Sequence, residues 1–297
     1  MSRKLLQAVA FLDRRLAESE NSRIGFLSER LDGRERMGLR RHPRVSNSRS
    51  AIRNGVDLID ITFDFRSDTP GYGLPRVDPD ASSPTLRRYH QFLWSKPLPS
   101  GAPFELDVIT PGVYLHHRSA LGEFRLSSDA VVPTLRKKLK HLEIPEEELE
   151  EFNRVGYTIG GMMIWPSNKV DGAMTINGAR GLDRRIADRF DLTLECIRRY
   201  YLGEPGPPGP LTRAFARYPE FFGLFGDFAG FVDFFLLQDL VDEATNAVRL
   251  FTPFEDFNGS PLPGTADAYR EYRERAIEFI ESRNRRIAAH DRARRPK

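Results

Sequence analysis

Apolar and polar residues alternate with period two over residues 58–65 (LIDITFDF), the pattern of a half-buried β-strand. Ile59, Ile61, Phe63 and Phe65 would line one face, and Asp60, Thr62, Asp64 and Arg66 the other. Residues 67–83 carry Pro70, Gly71, Gly73, Pro75 and Pro79, which predict a loop. Ser83 then offers an N-cap and Pro84 a first helical position. The helix should reach about Trp94, because Pro97 and Pro99 forbid its continuation. Strands are expected at 104–109, 112–117 and 123–126, a basic helix at 129–141 and an acidic helix at 145–152. A hairpin follows, with strands at 157–165 and 173–177. The segment INGARG (176–181) reads as a tight connection into a helix at 183–201, whose stripe Ile186, Phe190, Leu194, Ile197 and Tyr201 would face a core.

EPGPPGP (204–210) is a linker or exposed loop. Residues 211–241 are packed with phenylalanine, and Pro219 divides them into at least two helices. Their aromatic faces predict core. A late strand at 247–253 and a last helix at 266–290 complete the pattern. Ahead of all this, Leu5, Val9, Leu12 and Leu16 predict an amphipathic helix over 1–22, and residues 28–55 read as a basic linker. The expected organisation is a helix and linker over 1–55, one main α+β domain over 56–290 and a basic tail over 291–297. In that domain a mostly antiparallel sheet would pack against several helices.

Composition narrows the function classes. No run of apolar residues is long enough for a membrane span. Cys196 is the single cysteine, so no internal disulfide can form, which fits a reducing cytoplasm. The net charge is +3, but the ends are more basic: 12 Lys/Arg against 6 Asp/Glu in residues 1–50, and 10 against 5 in residues 270–297. Such ends attract anionic partners or are simply solvated. Of the 45 basic residues only seven are lysine. The bias toward arginine runs through the whole chain, as a GC-rich genome would produce, and does not by itself point to nucleic acid.

Three blocks look familiar together: FDFRSDTPG with SPTLRRYHQFLWSKPLP (63–99), IGGMMIWPSNKVDGAMTINGARG with IADRFDLTLECIRRYY (159–201), and FFGLFGDFAGFVDFFLLQDLV (221–241). They resemble a family of bacterial proteins whose shared domain has no known function, over roughly residues 58–287. The resemblance implies no activity, cofactor or catalytic residue. It does imply that residues 1–50 are an extension or an artefact of start-site choice, since many members begin near the first strand.

The candidate chemistry is polar and arginine-rich. Asp64 and Arg66 on a strand face could form the floor of a cleft, with acids positioning a general base or a divalent metal. The plain alternative is a solvated strand face. On the following helix, Arg87 and Arg88 beside His90, with Lys96 just beyond, could hold a phosphate or carboxylate while His90 exchanges protons. Here the alternative is an exposed helix face with a structural histidine. Asn177 and Arg180 in INGARG could bring backbone and guanidinium to an anion at a helix start. His116 and His117 are adjacent on a strand and point to opposite faces, and nothing stands near them at metal-ligand spacing. Arg283-Asn284 ahead of His290 resembles the motif of HEPN-type ribonucleases, but the preceding chain is unlike a small all-helical domain.

The expectation is an enzyme or binding protein for a phosphate-bearing ligand, a nucleotide or nucleic acid. Asp64, Arg66, His90 and Lys96 would do chemistry, and Arg87, Arg88, Asn177 and Arg180 would bind. The alternative is a non-catalytic interaction protein, such as an accessory of a defence or toxin system, with these groups paired in internal salt bridges. The cofactor and any metal stay open at this point.

Overall fold

A computed structural model describes residues 59–108, 112–131, 139–203 and 209–294. The helix expected at 1–22, the linker at 28–55, most of the basic helix at 129–141 and most of EPGPPGP lie outside the described residues. The described residues fall in one compact unit.

Residues 59–65 do not form the expected strand. Asp60 Oδ1 accepts from the Thr62 N–H at 2.9 Å and from its hydroxyl at 2.7 Å. Asp64 Oδ1 accepts from the Arg66 N–H at 3.0 Å and caps a 3-10 turn, Phe65–Asp68. Short acidic side chains that capture a backbone N–H two residues on favour turns over sheet ladders. The Phe65 N–H donates instead to the Tyr157 carbonyl at 3.0 Å.

Helix α1 (Pro79–Ser82) starts at Asp78, and α2 (Pro84–Trp94) starts where the sequence places it. Ser83 Oγ accepts from the Leu86 N–H at 3.1 Å. Asp68 adds a second cap, accepting from the Ser83 hydroxyl at 2.5 Å and the Thr85 N–H at 3.0 Å. A carboxylate there also suits the positive end of the helix dipole. Past α2, β1 (Lys96–Pro97) and β2 (Pro103–Phe104) form a small ribbon.

The main sheet has the antiparallel order β3 (Leu115–Ser119), β4 (Gly122–Ala130), β5 (Met162–Pro166). Between β4 and β5 the acidic helix α3 runs from Glu146 to Gly156. The hairpin expected at 157–177 is therefore replaced: β5 pairs backward with β4, and 173–177 is not a strand. Thr175 Oγ1 instead accepts from the Gly178 N–H and caps α4 (Ile176–Leu182). INGARG is thus a helix, and the next helix, α5 (Phe190–Leu202), begins seven residues later than expected from 183, ending at Gly203 with φ +60°. The strand expected at 247–253 reduces to one bridge, Val241 to Val248.

Three short helices, α6 (Thr212–Phe215), α7 (Pro219–Gly223) and α8 (Phe228–Phe234), carry the phenylalanines inward. Phe215, Phe221, Phe222, Phe225, Phe231 and Phe235 are buried together, with ring centroids mostly 5–6 Å apart. The last helix, α9 (Ala266–Ala293), passes the expected end at 290 by one turn. It lies against the backbone of residues 159–161, where the Gly160 N–H donates to Asn284 Oδ1 at 2.7 Å. A Cβ on Gly160 would stand 2.4 Å from the Ile280 carbonyl oxygen. The fold is α+β, as expected, with a smaller sheet and a larger share of helix and turn. No helix among the described residues is long and apolar enough to cross a membrane.

Candidate functional site

Strand β4 organises three of the eight predicted residues, through three consecutive side chains. Asn177 Nδ2 donates to Ser127 Oγ at 3.3 Å, His90 Nε2 lies 2.9 Å from Ser128 Oγ, and Arg180 pairs with Asp129. Successive residues of a strand project from opposite faces. Ser127 and Asp129 therefore meet α4 on one side of the sheet, and Ser128 meets α2 on the other. His90 and Arg180 approach the same strand from opposite faces, which does not build the single cleft expected for them.

His90 is wholly buried. The Trp94 Nε1–H donates to its Nδ1 at 2.9 Å, so the proton of the neutral ring sits on Nε2 and points at Ser128. Burial, reinforced by the Arg283 charge, lowers its pKa to about 3. Arg180 is also wholly buried. Beyond Asp129 it donates to Thr193 Oγ1 at 3.1 Å and to the Asp188 carbonyl at 3.2 Å, and its guanidinium lies over the Trp165 ring. Burial lifts the Asp129 carboxyl to about 7, against the pull of Arg180. The neighbouring Asp80 accepts from the Ala130 N–H through Oδ2 at 3.1 Å, while its buried Oδ1 has no partner. Burial first, then Asp78 and Asp129, raise its pKa.

Asp64 and Arg66 pair with each other at 2.5 Å, and Arg66 reaches Glu150 of α3 at 2.8 Å. They tie the first turn to α3. Arg87 stacks over Tyr114 at 4.7 Å. Arg88 is exposed and touches Thr85 Oγ1 at 3.4 Å. Arg283 and Asn284 are buried structural groups: Arg283 donates to the carbonyls of Gly160, Met162 and Phe235.

Lys96 is different. It lines a cavity of about 380 Å³ with Pro99, Asp233, Phe234, His290 and Arg294. Its Nζ lies 4.6 Å from the Phe234 ring centroid and 5.4 Å from that of Trp94. Among the described residues neither Lys96 nor Arg294 forms an ion pair. Arg294 is anchored at the end of α2 by the Phe92 and Ser95 carbonyls, at 2.9 and 3.0 Å. Asp233 is held by Gln238 Nε2 at 2.9 Å. His290 Nε2 is buried without a hydrogen-bond partner among the described residues. Burial lowers Lys96 to about 8, with Arg294 and Arg283 adding to the effect and Asp233 opposing it. Burial, then Lys96 and Arg294, lower His290 to about 4. The cavity thus presents two cations, one carboxylate and a neutral imidazole on an aromatic floor. Such a set can hold an anion and exchange protons with it. Local sequence signals Lys96 but not Asp233 or Arg294, which arrive from α8 and from the far end of α9. Among the described residues no three His, Cys, Asp or Glu side chains could share a metal ion.

The described residues thus form an α+β domain with a short sheet between helices and a cationic cavity at Lys96. Residues 59–287 match the model of a "Family of unknown function (DUF6994)", and the chain belongs to that family. No curated protein and no solved structure matches the chain.

Proposed function

We propose that this protein binds a small phosphate-bearing ligand of nucleotide size or less in the Lys96 cavity. The supporting observation is the pair of cations, Lys96 and Arg294, that line a concave, partly apolar space beside a single carboxylate, Asp233, and form no ion pair among the described residues. Ligand cavities commonly measure about 300–1,000 Å³, so a volume near 380 Å³ favours a small molecule over a nucleic-acid strand. The buried lone Cys196 supports a cytoplasmic setting. A thermal-shift series with inorganic phosphate, AMP and ATP tests the reading. A ligand at about a hundred times its Kd stabilises the folded state by about 2.7 kcal/mol. That shift should shrink with added salt and vanish in Lys96→Met.

The second reading is a non-catalytic interaction protein, accessory to a defence or toxin system. It is favoured by the internal engagement of Arg66, His90 and Arg180, which tie elements together, His90 and Arg180 being wholly buried. Absence of any anion-induced shift in the wild-type protein decides for it.

A further inference from the structure

The Lys96 amine has surroundings that suit covalent chemistry as well as charge recognition. It sits over two aromatic rings and opens onto a cavity with an anchored arginine at one side, and among the described residues it has no ion-pair partner and the imidazole nitrogen at the other side has no hydrogen-bond partner. Lysines made reactive in proteins are those desolvated on apolar surface or set beside another cation. Both conditions hold here, since the Trp94 and Phe234 rings lie against the amine and Arg294 shares the cavity.

We propose that Lys96 condenses with the carbonyl carbon of a small aldehyde or oxo acid whose phosphate or carboxylate is held by Arg294. The inference rests on the anion-binding reading of this cavity and adds the reacting carbonyl. In the step, the neutral amine nitrogen bonds to the carbonyl carbon and gives a carbinolamine. The carbinolamine oxygen then leaves as water with the two former N–H protons, and a C=N bond remains. No oxidant or reductant is required. Asp233 and His290 are the groups placed to relay those protons, one as a carboxylate and the other through its free Nε2. The depressed Lys96 pKa of about 8 supplies a sizeable neutral fraction just above neutral pH, where a lysine at 10.5 would supply very little.

The test is reductive trapping on the full chain. The protein is incubated with glyoxylate, glycolaldehyde phosphate or acetaldehyde and cyanoborohydride, then mapped by peptide mass spectrometry. The other six lysines of the chain serve as internal controls. Lys96 should label faster than the other lysines by about tenfold or more at pH 8, the advantage expected of a desolvated amine. The advantage should be larger for the two anionic probes than for acetaldehyde, and Arg294→Ala should erase that preference. Lys96→Arg keeps the charge and should retain the phosphate-induced thermal shift while losing the label. Uniform labelling of all lysines, alongside a normal phosphate shift, overturns the covalent step and leaves the anion site standing. Loss of both the shift and the selective label overturns both. Equal labelling of Lys96 by acetaldehyde and glyoxylate overturns the role given to Arg294.

Discussion

Acid should destabilise this fold through His90 more than through an ordinary histidine. The ring is wholly buried, and its Nδ1 faces the Trp94 Nε1–H at 2.9 Å. A second proton on Nδ1 would set two donors against each other, in addition to the burial that lowers the pKa to about 3. His90 is a base whose folded pKa lies below its unfolded value of 6.5. Between those limits the unfolded chain holds the extra proton, so stability is fully present above pH 6.5 and falls as the pH drops toward 3. The loss is roughly 1.4 kcal/mol per pH unit, or about 3 kcal/mol at pH 4.5. Asp129, with its folded pKa raised to about 7, acts in the opposite direction through the overlapping window. The comparison must therefore be between wild type and His90→Gln, in which Asp129, Asp80 and His290 titrate alike. Urea unfolding at pH 7.5, 6, 5 and 4.5 measures it. His90→Gln should cost about 1–3 kcal/mol at pH 7.5 through lost hydrogen bonds and packing. The gap to wild type should then close by about 3 kcal/mol at pH 4.5. Parallel curves for the two proteins would refute a neutral, buried His90.

The remaining predictions concern packing and charge. Gly160→Ala should destabilise by about 3 kcal/mol or more in urea, since its Cβ would meet the Ile280 carbonyl at 2.4 Å and Asn284 Oδ1 at 2.7 Å and lift α9 off the chain beneath it. Arg180→Met should cost about 3–5 kcal/mol by stranding Asp129, and adding Asp129→Leu should restore part of that loss. A surviving fold in Arg180→Met with unchanged urea midpoint would contradict the buried pairing.

The elements that could be read from sequence are those whose signals are local. Ser83 and Pro84 start α2, Pro219 starts α7, and the apolar stripe Tyr269, Tyr272, Ala276, Ile280 and Ile287 is buried along α9. Residues 58–65 misled because two structures share a period of two. A strand repeats its faces every second residue, and an aspartate captures the N–H of the second residue on. Asp60 with Thr62 and Asp64 with Arg66 therefore imitate alternation while bending the chain. The hairpin expected at 157–177 failed for a different reason. The partner of β5 is β4, more than thirty residues earlier, and no turn chemistry near 167–172 encodes that choice. The candidate site was half legible for the same cause. Lys96 follows a helix end in plain view, but Arg294 reaches the Phe92 and Ser95 carbonyls across about two hundred residues of chain.

Arginine itself has a structural explanation in this fold. With two small sheets, much of the backbone runs in turns, and buried carbonyls there still need donors. A guanidinium offers five N–H groups in a planar fork, which an ammonium cannot match. Arg283 serves the Gly160, Met162 and Phe235 carbonyls, Arg189 serves Pro261 at 2.9 Å, Arg275 serves Phe251 at 3.3 Å, and Arg294 serves Phe92 and Ser95. Arginines in such positions bind loops together, and their number says little about a ligand. Lys96 does none of this work. It donates to no carbonyl and pairs with no carboxylate among the described residues, yet it is partly withdrawn from water over two aromatic rings. A cation held in that way is costly to desolvate, and the ring contacts and the Asp233 charge offset only part of that cost, since its pKa still falls to about 8, which is the physical reason to look for its partner in the cavity it faces.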